Sequence, residues 1–225
     1  MYAEEALVLL SGGLDSATCL AWAVTHYTKV KTITFFYGQR HSVELTAAEK
    51  VSKAFGVDNT VVAIPPNCFQ DTVLTGQGQE KAVAGQVNPD GLPKTFVPAR
   101  NLVFLALAAG LAYRKEGAAS DLVIGANDVD YSGYPDCRPE SILAAQIAIR
   151  CSLGVPGLSV QAPLLGLSKS EIVLLLIDTT PNWSSVLQMT VSCYNGVRHG
   201  CGECDSCKIR ENAFRVLHME DPAKG

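Results

Sequence analysis

The run Ala6-Leu7-Val8-Leu9-Leu10 is apolar at every position, and a glycine-rich turn, Ser11-Gly12-Gly13-Leu14-Asp15-Ser16, follows it at once. A strand without apolar–polar alternation is covered on both faces, as strands of a parallel sheet are. Residues 17–27 then read as a helix. Strand, tight loop and helix in immediate succession place the loop at the carboxyl edge of a parallel sheet, where such sheets bind ligands.

The alternation continues along the chain. Strands are expected at 30–37, at 60–64 before Pro65-Pro66, at 121–126 and at 158–162. Between them lie helical stretches at 42–55, 101–116, 141–152 and 168–177, and a last helix at about 206–217. In the first of these Val43, Ala47, Val51, Ala54 and Phe55 recur at helical spacing, and Gly56 closes it. Ser168 and Glu171 form a capping box ahead of the fourth. The pattern predicts an α/β protein with a doubly wound, Rossmann-like, mostly parallel sheet. Two stretches interrupt it. Residues 68–94 are rich in Gly, Gln and Pro and read as a mobile or substrate-covering loop or a disordered one. Residues 181–202 read as irregular and lead into a cysteine cluster. We therefore expect an α/β domain over 1–180 with a metal-binding segment, 181–225, packed on it.

Composition narrows the function. The chain is 48% hydrophobic and only 18% charged, against an average of about 25% charged, which predicts a large buried fraction and room for a subunit interface. A net charge of −4 argues against a general nucleic-acid surface. No apolar run reaches the roughly 18 residues that suggest a membrane span, and the acidic start Met1-Tyr2-Ala3-Glu4-Glu5 does not resemble a signal peptide. A cytoplasmic protein is expected, with its eight cysteines reduced and clustered ones serving metal or chemistry.

The loop suits an anion. Glycines admit close backbone approach, a helix N-terminus supplies N–H donors and positive potential, and Ser11 and Ser16 add hydroxyls. Asp15 would repel a phosphate unless Mg²⁺ bridges the two. The Walker lysine and the G-x-G-x-x-G pattern are both absent. The alternative is a plain strand–helix turn with Asp15 and Ser16 near the cap. Cys201-x-x-Cys204-x-x-Cys207 with Cys193 upstream offers four thiolates, a set suited to structural Zn²⁺. An Fe–S cluster uses the same set, and redox chemistry is a third reading. Cys19, Cys68, Cys137 and Cys151 are scattered and read as small packing residues.

S-G-G-x-D-S after the first strand resembles the signature of the ATP pyrophosphatases, the adenine-nucleotide α-hydrolase superfamily. That likeness implies a loop holding the pyrophosphate part of ATP and an enzyme that adenylates a substrate oxygen. Four further stretches are Tyr37-Gly38-Gln39-Arg40-His41, Phe96-Val97-Pro98-Ala99-Arg100-Asn101, Asp130–Arg138 with Ser132-Gly133-Tyr134-Pro135-Asp136-Cys137-Arg138, and Cys193-Tyr194-Asn195-Gly196. With the loop, and in order from about Leu7 to Leu217, they resemble the 7-cyano-7-deazaguanine synthase family. The family usually has glycine where Ala99 stands.

The resemblance implies ATP-dependent conversion of 7-carboxy-7-deazaguanine and ammonia into a nitrile, in a homodimer carrying structural zinc, with Mg²⁺ beside the nucleotide. It assigns ATP binding to Leu10, Ser11, Gly12, Gly13, Leu14, Asp15, Ser16 and Arg100. Catalysis falls to Asp15, Ser16, Arg40 and Lys169. Substrate contacts fall to Tyr37, Gln39, Arg40, Asn101, Asn127, Asp128 and Asp136, with Asp136 set against the guanine-like face. Cys193, Cys201, Cys204 and Cys207 would hold the metal. His41 reads equally as a helix-start residue and Lys169 equally as part of a solvated helix face. Rival functions are an adenylating ligase that passes the acid to a protein or other amine, a tRNA-thiolating ATP pyrophosphatase, and a zinc-stabilised binding module without catalysis.

Overall fold

A computed structural model describes residues 4–39, 43–69, 72–75, 80–113, 120–129 and 134–224. Its strands are β1 (Glu5–Leu9), β2 (Lys29–Phe36), β3 (Asn59–Ala63), β4 (Asp121–Val123) and β5 (Val160–Gln161). Its helices are α1 (Leu14–His26), α2 (Val43–Ala54), α3 (Arg100–Ala112), α4 (Pro139–Leu153), α5 (Lys169–Thr179), α6 (Trp183–Met189) and α7 (Asp205–Val216). Every strand pairing is parallel, and the order across the sheet is β3-β2-β1-β4-β5. This is the doubly wound α/β architecture that the strand–helix alternation predicts. The chain winds outward from β1 to β3 and then returns to lay β4 on the other side of β1. The reversal opens a crevice between the carboxyl ends of β1 and β4.

The unbroken apolar run of β1 serves two cores at once. Leu7 and Leu9 join Ile33, Phe35, Leu105 and Ile142 on the face covered by α3 and α4. Ala6, Val8 and Leu10 join Leu20, Ile172, Leu187 and Phe214 on the opposite face, under α1, α5, α6 and α7. Each fully buried leucine contributes about 1.5–3 kcal/mol of transfer free energy, so both layers are held by the same central strand. Leu187 of α6 and Phe214 of α7 belong to that second core, and α6 and α7 pack against α5.

Several boundaries differ from expectation for local reasons. The ladder of β4 ends at Val123, with Ile124 N still donating to the Gln161 carbonyl at 2.9 Å before Gly125. A Cβ on Gly125 would sit 3.3 Å from the Asp15 carbonyl carbon and from Ser16 N, so the bare backbone lets this strand end rest against the first turn of α1. Helix α3 closes at Ala112, where Tyr113 N donates to the Ala109 carbonyl. Helix α6 interrupts the stretch expected to be irregular. It is only seven residues long and too short to show a period, and tertiary burial of Val186 and Leu187 stabilises it. The capping box of α5 is present, with Ser168 N donating to Glu171 Oε2 at 2.7 Å and Glu171 N to Ser168 Oγ at 3.4 Å.

The described part of the 68–94 stretch is tethered. Asn195 clamps the backbone of Ala82, accepting from its N–H at 2.8 Å and donating to its carbonyl at 2.9 Å. Ala84 N donates to the Glu203 carbonyl, Gly85 N to Asp205 Oδ1, and Val87 bridges Pro93. Among the described residues no helix is long and apolar enough to cross a membrane.

Candidate active site and metal centre

The glycine loop is organised by its own serines. Ser16 Oγ accepts from Ser11 N at 3.1 Å and donates to the Gly13 carbonyl at 3.1 Å, while Ser11 Oγ lies 3.1 Å from Ser16 Oγ. Gly12 has φ +85°, and a Cβ there would meet Ala48 N and the Glu44 carbonyl at 2.6 Å. Gly12 therefore packs the loop against α2; it does not line the cleft, unlike Leu10, Ser11, Gly13, Leu14, Asp15 and Ser16. The Gly12 carbonyl accepts from Val191 N at 2.9 Å, which ties the loop to the strap that follows α6. The N-cap of α1 is Gly13, and Ser192 Oγ accepts from Leu14 N at 3.5 Å.

A cavity of about 250 Å³ opens over this loop, and a second of about 230 Å³ adjoins it. Asp15, Arg100, Asn101, Lys169 and Tyr194 line both. Lys169, the first residue of α5, reaches into the cleft and donates to both oxygens of Asp15, at 2.7 and 2.8 Å. The alternative reading of Lys169 as part of a solvated face does not describe it: its side chain is only 14% exposed. Arg100 opens α3 and points at Tyr37, with Nη1 3.5 Å from the phenol oxygen. Burial pushes the Tyr37 hydroxyl above its ordinary range. Two cations thus stand where the cavities join.

The remaining predicted residues fall into two groups. Gln39 lines the cleft, but its amide folds back on β2, accepting from Tyr37 N at 2.8 Å and donating to the Phe35 carbonyl at 3.1 Å. Asn127 faces the second cavity while its amide group donates to the Leu164 and Leu167 carbonyls. Asp128 accepts from Gly166 N at 2.9 Å and lines neither cavity. Asp136 departs most from expectation: its carboxylate accepts from Asn101 N at 3.0 Å and caps α3, outside both cavity walls. Asn101 in turn donates to the Asp136 carbonyl and to Cys137 Sγ. Arg40 and His41 lie outside the described residues.

Several other residues at the site are assigned no role from the sequence alone. Glu44 of α2 lines the first cavity, and its carboxyl is pushed up to about 7, chiefly by burial, with Arg100 opposing and Cys193 adding to the rise. Tyr134 and Thr95 share a hydrogen bond of 2.6 Å on the second cavity. Arg210 of α7 is buried and bonds Asp221 through two nitrogens, at 2.7 and 2.9 Å, while Nη1 reaches Thr190 and Ser192. It holds the strap that carries the glycine-loop contact.

The sulfurs of Cys193, Cys201, Cys204 and Cys207 all lie within 4.8 Å of one another, with Cys201 and Cys207 3.9 Å apart. A tetrahedral ion with bonds of about 2.3 Å requires sulfurs about 3.8 Å apart. The four thiols fit a metal ion. Hydrogen bonds from Cys204 and Cys207 hold the Cys193 thiol below its ordinary range. Asn195 Nδ2, Glu203 N and Cys204 N all point at Cys201 Sγ, at 3.3 to 3.4 Å. Such donors stabilise a thiolate and orient it as a ligand.

A parallel α/β sheet with a serine–glycine loop at its switch point, two adjoining cavities and four clustered cysteines defines a doubly wound α/β enzyme whose C-terminal segment carries a set of thiols that could hold a metal ion. The chain belongs to the queuosine biosynthesis protein QueC family, whose model matches residues 5–218. It is 39% identical to a 7-cyano-7-deazaguanine synthase of Thermoplasma acidophilum, over 99% of this chain and 92% of that one. It is 41% identical to a 7-cyano-7-deazaguanine synthase of Pseudomonas aeruginosa, over 99% and 98% of the two chains. Among solved structures, NMN synthetase from Francisella tularensis shares the fold, with a TM-score of 0.52 at 14% identity over 99% of this chain and 80% of that one.

Proposed function

We propose that the chain is an ATP-dependent 7-cyano-7-deazaguanine synthase acting on 7-carboxy-7-deazaguanine and ammonia. The observation that carries this reading is the junction of two cavities at Asp15, Arg100 and Lys169, one of them seated on the glycine loop, in a chain of this family. A carboxylate and a triphosphate repel each other, and they meet only where cations offset that repulsion.

The reaction follows from leaving-group chemistry. A carboxylate oxygen attacks the α-phosphorus of ATP and pyrophosphate leaves. Ammonia adds at the acyl carbon, AMP departs with the oxygen, and a proton is released, giving the amide. The amide oxygen attacks a second ATP, again expelling pyrophosphate. Loss of AMP and the nitrogen-bound protons leaves the nitrile. Ser11, Ser16 and the N-terminus of α1 would hold the phosphates. Arg100 and Lys169 would neutralise the charge gathered at the α-phosphorus, and the site's main contribution is positioning. Asp15 can hold Lys169 in place or serve as a ligand for the Mg²⁺ that accompanies ATP. Glu44, with its raised pKa, suits a proton acceptor for nitrogen.

The donor set of four thiolates supports Zn²⁺ as a structural ion, since four protein ligands leave no open position. The outer faces of α3 and α4 expose Leu102, Leu111, Leu143 and Ile147, which suits a second copy of the chain and supports a homodimer; sedimentation of an Ile147→Lys variant as a monomer would bear this out. The decisive experiment combines the enzyme with ATP, ammonia and 7-carboxy-7-deazaguanine and scores AMP and nitrile together. AMP without nitrile, and with the acid joined to another amine, would replace the synthase reading with a conjugating ligase. A metal assay should return one zinc per chain; iron would reject the zinc assignment.

A further inference from the structure

Helix α7 begins at Asp205, directly after Cys204, and its first turn lines the second cavity through Asp205, Ser206 and Ile209. Among the described residues two carboxylates line this cavity, Asp15 and Asp205. Asp15 is taken by Lys169, which donates to both of its oxygens. Asp136 stands outside, with its carboxylate turned to Asn101 N. Asp205 differs from both. Its Oδ1 accepts from Gly85 N at 2.9 Å, in a bond open to solvent. Its Oδ2 has no hydrogen-bond partner among the described residues, and it is not sealed off, as Gln86 Oε1 and Thr180 Oγ1 are. A carboxylate has about four acceptor sites, so one bond to Gly85 leaves most of them free at the cavity wall.

Resting on the synthase reading, we propose that the second cavity is the acceptor pocket and that the Asp205 carboxylate accepts hydrogen bonds from N1–H and the 2-amino group of the deazaguanine ring. The orientation follows from the two ends of the cavity. The reacting carboxylate must lie at the junction, beside Arg100 and Lys169, to reach the nucleotide. On the fused ring the 7-carboxylate is carried by the five-membered ring, and N1–H and the 2-amino group lie on the far edge of the six-membered ring. An acid placed at the junction therefore directs those donors toward the part of the cavity that the first does not share. Asp205 and Gly85 line only that part. Two neighbouring N–H groups match the two oxygens of a carboxylate, and a charged acceptor makes the stronger bond. Val87, Pro93 and Ile209 supply apolar surface beside it. The plainer role for Asp205 is a first-turn acid favoured by the helix dipole that tethers Gly85; that role leaves Oδ2 unused.

The test is a binding cycle on the metal-loaded protein, read by calorimetric titration with an α,β-methylene ATP analogue present. The ligands are 7-carboxy-7-deazaguanine and its 2-oxo counterpart, 7-carboxy-7-deazaxanthine, in which an acceptor replaces the 2-amino donor. The wild type should prefer the amine-bearing acid by roughly ten-fold or more. Asp205→Asn keeps a carbonyl oxygen for Gly85 N and presents an amide N–H in place of Oδ2. It should reverse the order and favour the 2-oxo acid, with metal content and affinity for the ATP analogue unchanged. Asp205→Ala, which removes acceptor and tether together, should bind the two acids alike. A wild type without preference, or a preference undiminished in both variants, overturns the contact. A preference lost in Asp205→Ala but kept in Asp205→Asn also overturns it, and leaves Asp205 as a tether only. Turnover separates the two readings. Nitrile formed by the wild type with an undiminished preference in Asp205→Asn rejects the Asp205 contact alone. An Asp205-dependent preference without AMP or nitrile rejects the synthase reading alone, and no binding of either acid rejects both.

Discussion

Lys169 Nζ holds both carboxylate oxygens of Asp15, at 2.7 and 2.8 Å, across the mouth of the crevice between β1 and β4. One member comes from the first turn of α1 and the other from the first turn of α5, 154 residues later. The pair sets charge at the point where the two cavities join. Lys169→Met should lower the rate of acid-dependent AMP release by about 100-fold or more, the range for removing one group that stabilises developing charge. Asp15→Ala should abolish it. Both variants should keep a cooperative thermal transition, since Asp15 is one-third exposed and the pair lies at the cleft edge; melting curves beside pyrophosphate assays check this.

Arg210 and Asp221 form an ion pair whose side chains are 8% and 4% exposed. Removing one member of such a pair strands a buried charge, at a cost of about 3–5 kcal/mol. Arg210→Ala should lower stability by that amount in urea unfolding. Arg210→Lys should recover only part of it, because a lysine cannot span Asp221 and Thr190 together.

Ala99 sits at the N-cap of α3 with φ 57°, in the left-handed region. An alanine there is strained by roughly 1–2 kcal/mol, and glycine relieves it at some cost in unfolded-chain entropy. Ala99→Gly should therefore raise stability by about 0.5–1 kcal/mol, read as a higher denaturation midpoint at constant slope.

Metal removal should act on the wall of the second cavity. The four-cysteine segment carries Asn195, Glu203 and Asp205, which hold Ala82, Ala84 and Gly85. Chelation under reducing conditions should speed tryptic cleavage at Lys81 and Lys94 ahead of cleavage within the sheet. Re-addition of the ion should restore protection; equal cleavage with and without metal would break the proposed link.

Glu44 should give the stability curve a distinct pH dependence. Its carboxyl is raised to about 7 in the folded chain, mainly by burial, so between its ordinary range and pH 7 the folded state binds more protons than the unfolded one. Stability from this group is therefore full at low pH and falls as pH rises toward 7. The advantage of Glu44→Gln over the wild type in urea unfolding should grow from pH 5 to pH 7.5. If Glu44 is also the proton acceptor, the same variant should flatten the acid limb of the rate profile.

The apolar run of β1, the glycine loop and the helix that follows were legible without coordinates, because local period and backbone permissiveness state them directly. So was the cysteine set, since C-x-x-C-x-x-C spacing brings thiols together whatever surrounds them. Helix α6 was not legible. Neither was the position of Lys169, because its neighbours on the chain do not reveal which way α5 points.

The chain's order of residues by itself determined a parallel, doubly wound sheet with a glycine-rich loop at its first turn and four thiols near its end. Tertiary structure alone decided how the polar residues divide. Asp136 and Asp128 hydrogen-bond backbone groups to hold turns and helix ends. Lys169, Arg100 and Glu44 instead line the cavities. The physical reason is that a carboxylate or amide serves equally well as a cap or as a ligand contact. Which of these it becomes depends on whether a backbone N–H or an open cavity lies within about 3 Å of it, and segments far apart in the chain set that distance.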